Sequence, residues 1–411
     1  MRAAAVPIAE PQEYRRAYVG ALAVVRGAHL EPRCSCILQE ADPQLPVVKL
    51  MFRLISRMST LLTPAIPPPA PSGFVRPARR WLIAGAAVVI LVSSLFTVYL
   101  LRPRAPLPKV TLFTMRAPFS AAILLAESRG WFRDAGVDVT VENRQSGRHA
   151  LAELTDGKGD FATAAETPIM FALLKSTSIK VIATLCVSFD NTTLVGRKDR
   201  GITSSEDLPG HRVGYSPGTN SQYFLDTFLE YRGHPLGSVE RIPLKPEEMV
   251  QALVDGQVDM IATWSPLNHQ ALTALGDNGQ ELRIGSIYRW SWNLVARNEE
   301  LANGPFAAPI LTALMRATAE IIRDPHGCAQ ELSPLIGMPA DKLVEVWKQT
   351  SFDVTLDQSL LLNLEQQARW AIASGLTEQK NVPNFLSGIS SQALRSIDAE
   401  IVTVIDGQGR P

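Results

Sequence analysis

The chain has 411 residues, of which 46% are hydrophobic and 19% charged, and this composition is typical of a globular protein with a substantial core. Its 40 basic and 40 acidic residues give a formal net charge of zero, which argues against a nucleic-acid-binding protein, because such proteins normally carry a basic excess. Among the four cysteines, Cys34 and Cys36 form only a Cys-x-Cys pair, which is weak evidence for a metal site. A disulfide between Cys186 and Cys328 stays an open alternative.

The first predicted element is a membrane segment. Residues 81–101 carry no charge and are almost entirely apolar, and a helix of this length crosses a bilayer core. Three arginines precede the segment and two follow it, which favours export of the rest of the chain. No Ala-x-Ala cleavage pattern closes it, so we expect an uncleaved anchor in the inner (cytoplasmic) membrane. Residues 1–80 contain a proline-rich run at 67–71, and we interpret them as a disordered or misannotated leader, with Met58 as a candidate true start.

Strand and helix patterns alternate after Pro108. The pattern predicts a buried strand over 110–115, a loop at 117–120 and an amphipathic helix over 121–129, followed by a second strand over 137–142. This rhythm is typical of an α/β fold in which helices cover a mostly parallel sheet.

The same plan recurs downstream. A strand over 212–215 leads through a loop at 216–221 into a helix over 222–231. An Asp-Gly-x-x-Asp motif at 156–160 and another at 255–259 each precede an apolar strand and a proline loop. Each motif by itself indicates only a helix-to-strand turn that uses its glycine. Their matched order instead indicates two similar lobes with a cleft between them.

Ligands of open α/β sheets lie beyond the carboxyl ends of the strands, and the loops of both lobes fall there. The chain is expected to return to the first lobe through amphipathic helices after residue 289. Crossovers near residues 191–195 and 289–294 are the predicted hinges. The predicted boundaries are 108–194 with 290–405 for lobe 1, and 195–289 for lobe 2.

Several short segments also show a family resemblance. Leu-Val-Gly-Arg-Lys-Asp-Arg-Gly-Ile at 194–202 is followed by Glu-Asp-Leu-Pro-Gly at 206–210, and further matches lie at 244–249 and 259–266. In this order the segments resemble the nitrate/sulfonate/taurine-type substrate-binding proteins of ABC transporters, which are related to thiamine-precursor binding proteins. The resemblance covers roughly residues 108–400.

The resemblance implies a two-lobed periplasmic-binding-protein fold of type II, with two mixed, mostly parallel sheets flanked by helices. It also implies an extracytoplasmic, periplasmic protein that captures a small polar solute by lobe closure. The solute would be anionic or zwitterionic, and the partners would be an ABC permease and its ATPase.

The second-lobe loop is the first candidate ligand site. Gly218, Thr219, Asn220 and Ser221 open a predicted helix, whose free backbone N–H groups and dipole favour an anion such as sulfonate, carboxylate or nitrate. Ordinary N-capping by Ser216 or Thr219 is the alternative interpretation of this loop.

The first lobe offers an equivalent loop. Pro118, Phe119 and Ser120 occupy it, and Phe119 either covers one face of the ligand or packs in the core. Ser146 follows the second strand. Arg148 either pairs with an anionic ligand or is a solvated surface residue.

Four more candidates follow the third and fourth strands. They are Glu166 and Thr167, and Asp190 and Asn191. Glu166 is either a ligand contact or a carboxylate that favours a helix start. Glu166 and Asp190 together favour an amine on the ligand, so an amino-sulfonate zwitterion would satisfy both charge arguments.

Aromatic residues complete the candidate site. Trp264 and Pro266 lie in the matching loop of lobe 2, and Trp290 and Trp292 lie near the return crossover. Aromatic walls are common in ligand clefts, so each tryptophan either lines the cleft or only packs in the core, and Trp264 is the strongest aromatic candidate.

Catalytic motifs are missing from the sequence. None of the six histidines has a partner at His-x-x-x-His spacing, and there is no Gly-x-Ser-x-Gly elbow or Walker-type phosphate loop. We therefore expect a monomeric binding protein without metal or cofactor, not an enzyme. An enzyme or a pyrimidine-precursor binding protein on the same fold stays the alternative, although the cysteine-rich motif of some such relatives is absent.

Overall fold

The computed structural model describes residues 107–285 and 287–405. These residues belong to the second of the two units into which the chain divides, Pro103–Pro411. The predicted membrane segment, residues 81–101, and the leader, residues 1–80, lie outside the described residues. No helix within the described part of the chain has the length and apolar character needed to span a membrane.

Strands and helices alternate along the described residues, as the sequence pattern predicts. The strands are β1 (Lys109–Thr114), β2 (Asp138–Asn143), β3 (Phe161–Ala165), β4 (Lys180–Ser188), β5 (Thr192–Arg197), β6 (Arg212–Tyr215), β7 (Glu240–Pro243), β8 (Met260–Trp264), β9 (Gly279–Leu282), β10 (Trp290–Ala296) and β11 (Thr350–Thr355).

The helices of the same residues range from one turn to nearly five turns in length. They are α1 (Ala121–Ser128), α2 (Trp131–Asp134), α3 (Gly147–Thr155), α4 (Glu166–Leu174), α5 (Asn220–Tyr231), α6 (Pro246–Val254), α7 (Leu267–Leu275), α8 (Glu299–Ala302), α9 (Ala307–Arg323), α10 (Pro325–Ile336), α11 (Ala340–Lys348), α12 (Gln358–Ala373) and α13 (Gln392–Ile397). Short 3-10 turns lie at Pro118–Ser120, Lys198–Arg200, Ser205–Asp207, Leu236–Ser238, Gly276–Asn278 and Phe385–Gly388.

The strands form two sheets. The first has the order β11-β4-β10-β3-β1-β2, and the second has the order β7-β6-β8-β5-β9. We call the first sheet with its helices lobe 1 and the second sheet with its helices lobe 2. The predicted two-sheet α/β architecture is therefore confirmed.

Both sheets are mixed, but fewer strand pairs are parallel than predicted. Two pairs in each sheet are parallel, which makes four of the nine pairs among the described residues. The antiparallel pairs involve β5, β10 and β11, which enter a sheet after the chain has crossed between lobes or returned through helices. A crossing strand arrives from the opposite side, so its direction is reversed relative to its neighbours.

Two short connections join the lobes. Residues 189–191 link β4 to β5, and residues 283–289 link β9 to β10. The predicted hinge segments, 191–195 and 289–294, instead lie mostly inside β5 and β10. The apolar residues there complete a sheet, and a paired strand bends less easily than the connection before it.

The repeated Asp-Gly-x-x-Asp motif has one structural role in both lobes. Gly157 and Gly256 have φ angles of +78° and +72°, the left-handed conformation that ends α3 and α6. The final aspartate then accepts a backbone hydrogen bond from another strand of its sheet, β1 in lobe 1 and β6 in lobe 2. The distance is 2.9 Å from Thr111 N to Asp160 Oδ2 and 2.9 Å from Arg212 N to Asp259 Oδ2. The repeat is therefore a helix-to-strand turn, and its carboxylate holds the sheet rather than a ligand.

Cys186 and Cys328 are both buried and both free. Cys186 lies in β4 and Cys328 lies in α10, so the alternative of a disulfide between them is not realised. Burial raises the pKa of the Cys186 thiol well above its usual range, and it raises that of Cys328 to about 11. Both thiols are therefore neutral at physiological pH.

We expect Asp259→Asn to lower the free energy of unfolding by about 2 kcal/mol, because charge-assisted bonds to both the backbone and the side chain of Arg212 are lost. Urea unfolding of the full-length protein measures this change. Asp255→Asn is the matched control, since Asp255 is exposed and bonds only to Gln251; we expect a change within about 0.5 kcal/mol. Equal effects of the two substitutions would contradict this role of the repeat.

Candidate ligand-binding cleft

A cavity that is partly open to solvent lies between the two lobes. Both lobes contribute to its lining. The lining residues are Met115, Phe119, Ser146, Gly147, Arg148, Ala165, Pro168, Trp290 and Trp292 from lobe 1, and Thr219, Asn220 and Trp264 from lobe 2. Five of the predicted ligand-binding residues, Phe119, Ser146, Thr219, Asn220 and Trp264, are therefore placed around one cavity.

Three helices begin at this cavity. Ser146 caps α3 by accepting the N–H of His149 at 3.2 Å, and Thr219 caps α5 by accepting the N–H of Ser221 at 3.2 Å. Ala165 immediately precedes α4, and Pro168 lies in its first turn. Each helix follows a strand of its sheet, so its N-terminus is fixed at the carboxyl end of that strand. The first-turn N–H groups have no acceptor within the helix, and the helix dipole adds partial positive charge there.

Arg148 is the charged residue among those that line the cavity, and the lining contains no carboxylate. The side chain is exposed, yet its Nη1 donates to the carbonyl oxygen of Pro217 at 2.6 Å. This bond joins α3 of lobe 1 to the loop before α5 of lobe 2. Arg148 therefore bridges the two lobes at the mouth of the cleft. The sequence left open a partner of an anionic ligand or a solvated surface residue, and the side chain is exposed but also bonded across the cleft.

Gly218 makes room for this bridge. Its φ angle is +67°, and a Cβ atom at this position would lie 3.4 Å from Cζ of Arg148. A larger residue would be strained in this conformation, and its Cβ would contact the guanidinium group. Gly218 therefore shapes the mouth of the cleft without lining the cavity.

Aromatic rings form most of the apolar wall. The ring of Phe119 lies 4.9 Å from that of Trp290 and 4.5 Å from that of Trp292, and the two indoles stack at 5.8 Å. The tryptophans are two residues apart in β10, so both point to the same face of the sheet. Trp264, at the end of β8, faces the cavity from lobe 2.

The indole N–H groups of Trp290 and Trp292 are buried and have no acceptor in the described residues. Two other tryptophans of lobe 1 differ in this respect. Trp347 donates to the carbonyl of Pro118 at 2.9 Å, and Trp370 donates to Asp226 Oδ2 at 2.9 Å. The unpaired indoles therefore occur at the cavity. Both tryptophans were expected near the return crossover as aromatic candidates, and both line the cavity.

Glu166 does not line the cavity. Its side chain is fully buried and accepts hydrogen bonds from the hydroxyl of Tyr288, from N and Oγ of Ser291 at 2.9 and 3.2 Å, and from Nε2 of Gln367 at 3.1 Å. The carboxylate is turned toward β10 and α12, where the chain's own donors occupy it. Of the two alternatives for Glu166, the structure shows a buried carboxylate at the helix start, held by the chain's own donors. Burial raises the pKa of this carboxyl group, although its hydrogen bonds oppose the rise.

Two further candidates, Ser221 and Ser120, hold the frame of the site. Ser221 is fully buried, donates to the carbonyl of Ala262 at 2.6 Å and accepts the N–H of Ser216 at 3.0 Å. Ser120 accepts from Thr114 Oγ1 at 3.1 Å. Their hydroxyl groups are used inside the protein, which leaves them outside the lining.

The remaining candidates also lie outside the lining. Asp190 pairs with Arg283 at 3.3 Å, where the two connections between the lobes meet. Asn191 is buried in the first connection, and its backbone carbonyl accepts the N–H of Ser265 at 3.2 Å. In total, nine predicted residues are absent from the lining: Pro118, Ser120, Glu166, Thr167, Asp190, Asn191, Gly218, Ser221 and Pro266.

We expect the difference in the free energy of unfolding between the wild type and Glu166→Gln to depend on pH. Between the ordinary pKa near 4.5 and the raised pKa, folded Glu166 keeps a proton that the unfolded chain has lost. The free energy of unfolding of the wild type therefore falls as the pH rises through this interval, whereas a glutamine does not titrate. Urea unfolding from about pH 4 to about pH 8 should show the wild type losing stability relative to the variant. Glu300→Gln, at an exposed position, is the control. A difference that does not change with pH would contradict the raised pKa.

The family model described as NMT1/THI5 like matches residues 117–327, which is 211 of the 411 residues. The matched region includes every residue that lines the cavity except Met115.

Curated relatives match shorter parts of the chain. The "Putative aliphatic sulfonates-binding protein" of Bacillus subtilis (strain 168) is 26% identical over 148 residues, which is 35% of this chain and 45% of that protein. Its counterpart of the same name in Escherichia coli (strain K12) is 24% identical over 200 residues, 47% of this chain and 61% of that protein. The chain thus spans about half the length of these relatives. An enzyme also matches: 4-amino-5-hydroxymethyl-2-methylpyrimidine phosphate synthase of Aspergillus parasiticus is 22% identical over 260 residues, 57% of this chain and 74% of that protein.

Solved structures match over most of the described residues. The alkanesulfonate-binding protein SsuA from Xanthomonas axonopodis pv. citri, bound to MOPS, has a TM-score of 0.60 at 20% identity and covers 70% of this chain and 100% of that chain. The periplasmic nitrate-binding protein NrtA from Synechocystis PCC 6803 has a TM-score of 0.60 at 14% identity, with coverage of 75% and 92%. These likenesses confirm the two-lobed periplasmic-binding-protein fold.

Proposed function

The chain belongs to the NMT1/THI5-like family, and from this premise we propose that it is a solute-binding protein that captures a small organic anion between its lobes. The observation that carries the proposal is the lining of the cavity. The N-termini of α3, α4 and α5 meet there with Arg148, and no carboxylate is present.

Electrostatics favour an anion at this site. Each helix N-terminus has the effect of about half a positive charge, and the first-turn N–H groups that no cap occupies are hydrogen-bond donors of the kind that bind sulfonate, carboxylate and nitrate oxygens. Arg148 adds a full charge and a planar fork of donors. The combined electrostatic field of the helix N-termini and Arg148 would favour an anionic ligand.

Of the two kinds of solute expected from the sequence, an anion fits the site better than a zwitterion. The zwitterion required Glu166 and Asp190 at the site, but Glu166 bonds to the protein itself and Asp190 pairs with Arg283. The ammonium group of an amino-sulfonate would therefore meet no carboxylate in the lining. We propose a plain organic anion.

Capture by lobe closure follows from the shape of the cleft. The first turns of α3 and α4 belong to lobe 1 and the first turn of α5 belongs to lobe 2, so a bound anion would interact with both lobes at once. A ligand that bridges the lobes stabilises the closed state by its higher affinity for that state. The connections at 189–191 and 283–289 would act as the hinges.

Delivery to an importer is the proposed next step. Relatives named as sulfonates-binding proteins and a relative named as a taurine-binding periplasmic protein support it. In this role the chain would be a periplasmic monomer, held at the inner membrane by the predicted segment 81–101. Its partners would be an ABC permease and the ATPase of that permease.

An enzyme is the second candidate, because one relative is a pyrimidine phosphate synthase. The lining offers little for such chemistry. It contains no histidine, cysteine, lysine or carboxylate that could serve as nucleophile or general base. We therefore prefer binding to catalysis, and a product formed from a bound solute would contradict that choice.

We expect Arg148→Gln to weaken the binding of methanesulfonate or benzenesulfonate by about tenfold, because a charged hydrogen bond to the anion is lost at an exposed position. Isothermal titration calorimetry of the full-length protein measures the dissociation constants. Arg133→Gln removes an exposed arginine of α2 that is paired with Asp138, away from the cavity, and should leave binding unchanged. If neither anion nor nitrate binds the wild type, or if both variants bind equally well, the proposed function is wrong.

A further inference from the structure

We propose that the solute is an aromatic oxoanion, such as an arenesulfonate or an aromatic carboxylate. Its ring would lie between Trp264 and the aromatic cluster of Phe119, Trp290 and Trp292, and its oxygens would also accept the two free indole N–H groups. This inference rests on the proposed function and specifies the class of solute for the same cavity.

The first observation is that the cavity has aromatic walls on both sides. Phe119, Trp290 and Trp292 contact one another within lobe 1, so this wall is assembled before any ligand arrives. Trp264 comes from lobe 2 and makes no ring contact with any of them in the described residues. A flat ring placed between these walls would stack or pack edge-to-face on both lobes, which are the preferred arrangements of aromatic groups.

The second observation is the pair of unsatisfied donors. Trp290 and Trp292 are each 2% exposed, and neither indole N–H has an acceptor. A buried donor without an acceptor is unfavourable, and most such groups in folded proteins are paired. Trp347 and Trp370, by contrast, donate to a carbonyl and to a carboxylate oxygen. A ligand with several acceptor oxygens would supply what the two cavity tryptophans lack.

The third observation is that the lining has a larger apolar part and a smaller polar part. Seven of the twelve lining residues are Met, Phe, Ala, Pro or Trp, and the polar residues Ser146, Arg148, Thr219 and Asn220 lie at or next to the helix starts. Nitrate has no apolar part to place against such a wall. Taurine would leave its ammonium group without a carboxylate partner. An aromatic body with one anionic group matches both parts of the lining.

Calorimetry of the wild-type full-length protein with four probes tests this inference directly. We expect benzenesulfonate to bind at least about tenfold more tightly than methanesulfonate, because its ring adds buried apolar area and ring contacts to the same anionic group. Taurine and nitrate should bind more weakly still. If methanesulfonate, taurine or nitrate binds as tightly as benzenesulfonate, the inference is wrong while the proposed function stands. If none of the four binds, the proposed function itself fails.

Two variants assign the preference to its residues. Trp264→Leu removes one aromatic wall and should reduce the preference for benzenesulfonate over methanesulfonate to less than about threefold. Trp292→Phe keeps a ring but removes the N–H, and should weaken the binding of benzenesulfonate by about fivefold.

Trp347→Phe is the control, because it removes a buried indole whose N–H is paired with Pro118 outside the cavity, and it should keep the wild-type preference. Melting temperatures identify any variant that fails to fold, and the wild-type series stands without them. Full retention of the preference in folded Trp264→Leu would overturn the inference.

Discussion

Backbone N–H groups in the first turn of a helix have no acceptor inside that helix, and the site depends on three such first turns being brought to one cavity. Both sheets enforce this arrangement. A helix that follows a strand begins where the strand ends, so the carboxyl ends of β2, β3 and β6 fix the starts of α3, α4 and α5. The two lobes form a site because these ends face each other across the cleft.

The frame around those helix starts is built from polar side chains that bond within the protein. Ser221 and Thr219 hold the loop before α5 to the carbonyls of Ala262 and Ser216. Glu166 ties the start of α4 to Ser291 in β10, to Gln367 in α12 and to Tyr288 in the connection between the lobes. Burying a carboxyl group is costly unless donors surround it, as they do here. Glu166 therefore fixes the geometry of lobe 1 where it meets the hinge.

Local patterns in the sequence were sufficient for the fold. The strand predicted over 212–215 has those bounds in the structure, because it is a short run enclosed by turn residues. The direction of β5, β10 and β11 could not be predicted locally. Each pairs with strands distant in sequence, and its direction depends on which lobe the chain has just left.

The site was only partly predictable for a related reason. Spacing placed Thr219, Asn220 and Ser146 at helix starts, and those residues line the cavity. Spacing alone could not separate Asn220 from Ser221: Asn220 donates to Thr192 Oγ1 and also lines the cavity, whereas Ser221 donates to the carbonyl of Ala262 and does not line it. Trp290 and Trp292 reach the cavity because β10 is inserted between β3 and β4, a pairing that spans more than 100 residues of sequence.

A crystal structure of the chain with a bound anion tests the central claim most directly. The account predicts the anionic group within hydrogen-bonding distance of backbone N–H groups at the starts of both α3 and α5, with Arg148 beside it. An anion held by one lobe alone, or bound outside the cavity lined by Trp264 and Trp292, would contradict it.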